Sequence, residues 1–161
     1  MRIIGIDPGM AIVGYSILDF NNDKDEITLV SSGSIQTSSK DSDAKRLLEI
    51  YNDIKIILNK FNPQVASIEK LFFFKNQKTV MPVSQARGVL LMALEEFNID
   101  IFEYTPIEIK QALTGYGRAT KDEVARLVKL CLNNDCKIPK LDDTVDSIAI
   151  GICHIRNKLI S

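Results

Sequence analysis

Two short apolar runs, each closed by a carboxylate, constrain the fold of this chain more than any other feature. The first covers residues 3–6 and is followed by Asp7; the second covers 65–68 and is followed by Glu69. Continuous apolar runs of this length are typical of strands buried on both faces. Between them, segment 44–61 carries apolar residues at spacings of three and four, which predicts a helix. If the two strands pair, a connecting helix of this length makes them parallel.

The remaining pattern predicts an α/β fold with one five-stranded mixed sheet flanked by helices. Polar turns separate a second and a third strand, and a short connection makes the second strand antiparallel to the first. We predict these further strands at 12–20, 27–35 and 99–104, and these further helices at about 79–97, 106–113, 120–132 and from 142 onward. Pro82 is tolerable only near a helix start, so the second helix is predicted to begin close to it.

Four acids are predicted to meet at one edge of the sheet. Parallel neighbours have their carboxyl ends together about 4.8 Å apart, so Asp7 and Glu69 should lie close to each other. Asp143 and Asp146 are three residues apart on the last helix and share one side of it. Converging carboxylates repel one another unless a cation neutralises them, and Mg²⁺ prefers oxygen ligands. The pattern points to Mg²⁺-dependent chemistry on phosphate, with Mn²⁺ able to substitute.

Each acid also has a plainer explanation. Asp7 precedes Pro-Gly and could initiate a turn, and Glu69 could be an edge-strand acid in water. Asp143 and Asp146 lie near a helix start, where acids complement the helix dipole. Asp142 is adjacent to Asp143, but it is rotated by about 100° around the helix, so we favour Asp143 as the ligand.

Composition narrows the functional classes. The 161 residues suit a single domain spanning 1–161, and a net charge of −1 argues against a protein that coats nucleic acid through bulk charge. No stretch approaches the roughly 20 apolar residues of a membrane helix, and we expect no signal peptide. The three cysteines, Cys131, Cys136 and Cys153, have no metal-binding spacing. We expect them to be reduced thiols in a cytoplasmic protein.

Short motifs follow one another over nearly the whole chain. They are GIDPG at 5–9, Ile68-Glu69 with Phe72 and Lys75-Asn76, SQARGV at 84–89, FEYTP at 102–106, Lys110-Gln111, the Gly115, Gly117, Ala119 and Lys121 series, and Asp143 with DSIAI at 146–150. This ordered set resembles the RuvC family of bacterial Holliday-junction resolvases.

The resemblance implies an RNase H-like fold, a homodimer and metal-dependent hydrolysis of four-way DNA junctions in recombination and repair, by paired nicks that leave 5′-phosphate ends. It also implies Asp7, Glu69, Asp143 and Asp146 as the metal-binding catalytic acids, and an association with a branch-migration motor complex. We expect two metal ions, about 3.5–4 Å apart, in such a site.

Five residues are predicted to contact DNA: Phe72, Lys75, Lys110, Arg118 and Lys121. The resemblance implies that Lys110 and Lys121 lie near the DNA backbone. Lys121 also lies in the first turn of a helix, where a cation is disfavoured, and this indicates an anionic partner. Each lysine could instead be an ordinary solvated residue. Phe72 is expected to stack on bases at the junction, although an aromatic run could also extend a buried strand or form a dimer contact.

Other functions and roles stay open at this point. An actin-like phosphotransferase, a junction-binding module without catalysis, and a nuclease acting on RNA–DNA hybrids are the alternatives. The first requires a second similar half, which a chain with no internal repeat lacks. His154 is expected to be a structural histidine on an apolar helix. Gly88 is expected to allow close packing against the sheet or a second subunit.

Overall fold

A computed structural model describes residues 1–70, 77–133 and 142–160 of the chain. It contains the predicted five strands and five helices, with bounds that differ from the predictions by a few residues at most places. These are β1 (Arg2–Asp7), β2 (Ile12–Asn21), β3 (Glu26–Gln36), α1 (Asp43–Phe61), β4 (Val65–Glu69), α2 (Gln77–Glu96), β5 (Asp100–Tyr104), α3 (Pro106–Thr114), α4 (Lys121–Cys131) and α5 (Asp142–Ile160).

The strands form one mixed sheet in the order β3-β2-β1-β4-β5. β1 is antiparallel to β2 and parallel to β4, and β5 is parallel to β4. Ile6 pairs with Ile68, so the two strands end at the same edge with Asp7 and Glu69. The predicted parallel pair and its shared edge are therefore confirmed.

Side chains alternate between two hydrophobic cores, one on each face of the sheet. In β1, Ile3 packs with α3, α4 and α5, whereas Ile4 and Ile6 pack with α1 and α2. The strand period of two then directs residues 5 and 7 to the same face as Ile3. This parity places the carboxylate of Asp7 on the side of the sheet that α5 covers.

The helix ends follow the local sequence signals. Ser42 caps α1 through a hydrogen bond from the backbone N–H of Lys45, and Asn62 ends that helix in a left-handed conformation. Thr120 and Glu123 form the predicted capping box of α4, each side chain accepting from the other residue's backbone N–H. This box fixes the start of α4, and with it the position of Lys121.

The start of α2 differs from its prediction. The helix begins at Gln77, so Pro82 lies inside it rather than in its first turn. Proline removes one hydrogen bond from the helix ladder. Burial of Ala86, Leu90, Ala93 and Leu94 against the sheet holds the helix beyond that point. Tertiary packing therefore overrides the local signal for a later start.

Candidate active site

Helix α5 lies unusually close to the sheet because two strand residues opposite it lack side chains. A Cβ atom added at Gly14 would collide with the backbone carbonyl of Asp143, and one added at Gly5 would collide with that of Ser147. Gly14 is paired with Asp7 in the ladder between β2 and β1. The close contact at Gly14 therefore brings the start of α5 beside the carboxylate that ends β1.

The spacing of these contacts matches the two backbone periods. One helical turn from Asp143 to Ser147 advances about 6 Å along α5. Two strand residues, from the row of Gly14 to the row of Gly5, advance about 6.6 Å along the sheet. The contacts between α5 and the central strands therefore repeat at nearly the same interval along both. The first turns of α5, which carry the acids, lie over the strand ends.

The structure brings the four predicted acids together. The pKa of Asp7 is raised to about 8, most of all by burial and then by the nearby charges of Glu69, Asp146 and Asp143, in that order. A hydrogen bond between the carboxyl groups of Asp7 and Glu69 keeps a proton on Asp7. Like charges in a poorly solvated place cannot all ionise together without a compensating cation. The four carboxyl groups therefore repel one another when no cation is bound.

Lys121 supplies part of the compensation. Its Nζ lies 3.6 Å from Oδ2 of Asp146 and 3.8 Å from Oδ2 of Asp142. Burial raises the pKa of Asp146, Lys121 lowers it, and Asp142 raises it again. Glu69 responds in the same way, since burial raises its pKa and Lys121 opposes the rise. Because the Lys121 side chain is 72% exposed, this ion pair is weak and easily displaced.

The carboxylate oxygens do not yet surround a common point. Within the described ranges, no group of three or more His, Cys, Asp or Glu side chains is placed so that it could hold a metal ion. One of these carboxylates, that of Asp146, is instead paired with the ammonium of Lys121. The donor set itself suits Mg²⁺, because it consists of hard oxygen ligands whose mutual repulsion a divalent cation would relieve.

A cavity of about 220 Å³ opens beside the acids, between α3, α4 and α5. Glu69 and Asp146 line one part of it, and Lys110 and Lys121 line another. Its remaining lining is mostly apolar: Pro106, Ile109, Val124, Ala149 and Ile150. Carboxylates and ammonium groups around one opening are suited to a phosphodiester with a bound cation, since the lysines face anionic oxygens that the acids alone would repel.

The other predicted site residues have mixed outcomes. Arg118 is exposed between α3 and α4 and does not line the cavity, so it is not brought to the acids. Asp142 points outward, with its side chain 78% exposed, which agrees with the preference for Asp143. Phe72 and Lys75 lie outside the described residues, and their proposed DNA contacts stay predictions.

One basic residue near the site was not predicted. Lys70 follows Glu69 directly, is exposed, and donates its backbone N–H to the carbonyl of Tyr104. The pKa of Glu108 at the start of α3 is lowered mainly by its hydrogen bonds with Thr105, and the charge of Lys70 adds to that effect. Adjacency to a predicted metal ligand at a strand end was the signal that could have identified it.

His154 is buried at 3% exposure, with Nδ1 2.9 Å from the hydroxyl of Tyr104 and its ring packed against Phe102. Its Nε2 is buried and has no hydrogen-bond partner among the residues that the structure describes. The expected structural role fits this packing, although only one of the two ring nitrogens is satisfied.

Comparison with known proteins identifies close relatives of the chain. The family described as "Crossover junction endodeoxyribonuclease RuvC" matches residues 3–154. A protein of that name from Halothermothrix orenii is 49% identical over 154 residues, covering 96% of this chain and 92% of the relative. The structure of Thermus thermophilus RuvC superposes with a TM-score of 0.90 at 27% identity, covering 99% of this chain and 96% of that one. The same organism's RuvC in complex with a Holliday junction gives 0.88 at 25% identity, with coverage of 100% and 97%.

Proposed function

The chain belongs to the RuvC family of crossover junction endodeoxyribonucleases, and we propose that it resolves Holliday junctions at the cluster of Asp7, Glu69, Asp143 and Asp146. Family membership and the junction complex of a full-length structural relative support endonuclease activity on four-way DNA. The observation that carries the site assignment is the convergence of the four acids, whose burial and mutual repulsion together raise the pKa of Asp7 to about 8. Such a cluster is costly to the fold unless it binds a cation.

RuvC enzymes are metal-dependent nucleases, and we propose Mg²⁺ as the metal here, with Mn²⁺ able to replace it. The four carboxylates would hold the metal through oxygen atoms only, which suits Mg²⁺ better than sites that contain thiols or imidazoles. When bound, the metal supplies a Lewis acid that activates water and stabilises the charge on a leaving oxygen. Asp7 must release its proton before it can bind the metal, so we expect metal binding to strengthen as pH rises toward 8.

The lysines at the cavity would orient the DNA. Lys110 and Lys121 line the opening next to Glu69 and Asp146, where a phosphate would otherwise meet only negative charge. We propose that they hold the backbone of the strand to be cut, and that the exposed Lys70 extends this positive edge. The DNA contacts of Phe72, Lys75 and Arg118 are kept as predictions. Aromatic stacking is the role proposed for Phe72.

A homodimer would place two such sites on one junction. The exposed face of α2 carries Met81, Gln85, Gly88 and Met92 at spacings of four, three and four. A Cβ added at Gly88 would meet no atom of the described residues within 4 Å, so this glycine does not serve packing against the sheet. The open space at Gly88 leaves room for a second copy of α2. This supports the predicted packing of Gly88 against a second subunit. Paired nicks would follow from two symmetric sites, and each nick would leave a 5′-phosphate if the 3′ oxygen is the leaving group.

We also propose that residues 1–161 act as one nuclease domain in the cytoplasm. None of the helices among the described residues is long and apolar enough to cross a bilayer. Among the described residues, Cys131 and Cys153 are free thiols, which is compatible with a reducing compartment. An association with a branch-migration motor complex stays a prediction from the family resemblance alone.

A side-by-side digestion tests the proposed function. The protein is incubated with Mg²⁺ and either a synthetic four-way junction or an RNA–DNA hybrid of equal length. We expect symmetric nicks in the junction and none in the hybrid, and Asp7→Asn should remove the nicks. Preferred cleavage of the hybrid would instead indicate a related nuclease of different specificity. Metal-independent binding without nicks would indicate a junction-binding module.

A further inference from the structure

Two buried serines flank Gly5 on the face of the sheet that α5 covers. In the ladders, Gly5 is paired with Ser16 of β2 on one side and with Ser67 of β4 on the other. These three residues form a lateral row, which we call the serine row. It lies two residues below the strand ends that carry Asp7 and Glu69, and therefore on the same face of the sheet.

Each serine hydroxyl donates a hydrogen bond to a backbone carbonyl of α5. Ser16 Oγ lies 2.9 Å from the carbonyl oxygen of Ser147, and Ser67 Oγ lies 2.7 Å from that of Ile150. Both serines are fully buried, at 0% exposure. These are direct side-chain bonds between the central strands and the backbone of the helix, in a contact too close for any side chain at Gly5.

We propose that Ser16 and Ser67 are positioning residues for the metal site. The inference rests on the proposed function, because it concerns how the four acids are held relative to one another. Asp7 and Glu69 are fixed to the sheet, whereas Asp143 and Asp146 are fixed to α5. The serine row joins these two rigid bodies one turn away from the acids, and so sets the separation between the two pairs.

Two hydrogen bonds from two different strands fix the position of α5 more completely than a single hydrogen bond would. A single hydrogen bond would still let α5 roll about its axis or slide along the sheet. Bonds to Ser147 from β2 and to Ile150 from β4 lie on opposite sides of Gly5, so rolling or sliding would have to stretch at least one of them. The apolar contacts around them are not directional and would tolerate small shifts. Small displacements of catalytic groups have large effects on metal binding and rate.

Metal affinity measured without DNA distinguishes a positioning role of the two serines from a contribution to stability alone. We suggest Ser16→Ala with Ser67→Ala, and Ser16→Cys with Ser67→Cys, in which the thiols fill the space but donate poorly. The probe is Mn²⁺ alone, titrated by electron paramagnetic resonance. We expect about a tenfold or greater loss of Mn²⁺ affinity in both double variants, and a larger loss of junction cleavage. If the alanine variant does not fold, the near-isosteric cysteine variant decides the question.

The matched control is Ile17→Val, which removes a methylene from a fully buried strand residue on the opposite face. It should lower the melting temperature without changing Mn²⁺ affinity. Wild-type Mn²⁺ affinity in either folded serine variant would overturn the proposal. Asp7→Asn distinguishes a failure of the proposed metal site from a failure of the proposed role of the serines. If Asp7→Asn retains Mn²⁺ affinity, the metal site itself is wrong. If it loses affinity while the serine variants keep theirs, only the role of the serine row fails.

Discussion

The ammonium of Lys121 lies 3.6 Å from the carboxylate of Asp146, so a cation of the protein itself stands at the edge of the acid cluster. Asp146 is the main cause of the raised pKa of Lys121. The predicted conflict between a lysine and the positive end of a helix is thus offset by neighbouring acids as well as by any DNA. We propose that, once metal and substrate are bound, the same ammonium faces a phosphate.

Removing the charge of Lys121 should impair cleavage without weakening metal binding. We expect Lys121→Gln to reduce junction cleavage about 10- to 100-fold, and Lys121→Glu to reduce it further, because a favourable charge at the phosphate is lost or reversed. Mn²⁺ affinity should stay equal or increase in Lys121→Gln, since the competing ammonium is gone. Lys129→Gln, an exposed lysine on the same helix, is the control for net charge. A parallel loss of affinity and cleavage in Lys121→Gln would contradict this separation.

The raised pKa of Asp7 predicts an unusual pH dependence of stability in the metal-free protein. Between its ordinary value of 3.8 and about 8, the folded state holds a proton that the unfolded state has released. The free energy of unfolding should therefore fall as pH rises through this window, by at most about 1.4 kcal/mol per pH unit from this group. Glu69 and Asp146, whose pKa values are also raised, act in the same direction.

Urea unfolding in EDTA at several pH values measures this effect. Asp7→Asn should be more stable than the wild type near pH 8 and lose less stability between pH 5 and 8. Mg²⁺ should restore the wild type at pH 8 but have little effect on Asp7→Asn. If the free energy of unfolding changed with pH in the same way in the two proteins, the folded state would not raise the pKa of Asp7.

The sequence identified the strand-borne acids because each directly ends a buried apolar run, and a long helix between the runs fixes their relative direction. Helical spacing also favours Asp143 over Asp142 as a metal ligand, and this choice stays a prediction. The close approach of α5 to Gly14 was not predicted. A glycine in a strand indicates that something comes near, but not which element. The partners of Ser16 and Ser67 lie on α5 more than 80 residues away, and no local pattern encodes them.

Gly14 gives a direct test of that close approach. In Gly14→Ala the new methyl group would collide with the backbone carbonyl of Asp143, which cannot move without shifting the start of α5. We expect a loss of about 1–3 kcal/mol in the free energy of unfolding, as is usual for overpacking. Junction cleavage should fall much further, because Asp143 moves away from Asp7. Ser34→Ala, at the paired position in β3, is the control and should leave cleavage unchanged.

Gly88 tests the proposed dimer through α2. A Cβ at this position meets no atom within 4 Å in the described part of the chain, so a large side chain should leave the monomer fold intact. In a two-fold helix contact centred on this glycine, Gly88→Trp would force the two helices apart. We expect wild type to sediment as a dimer and Gly88→Trp as a folded monomer that binds Mn²⁺ normally. The monomer should also lose the paired nicks on a junction.

Gln111→Trp, at an exposed position on α3, controls for added bulk. A Gly88→Trp protein that still sediments as a dimer would move the interface away from α2.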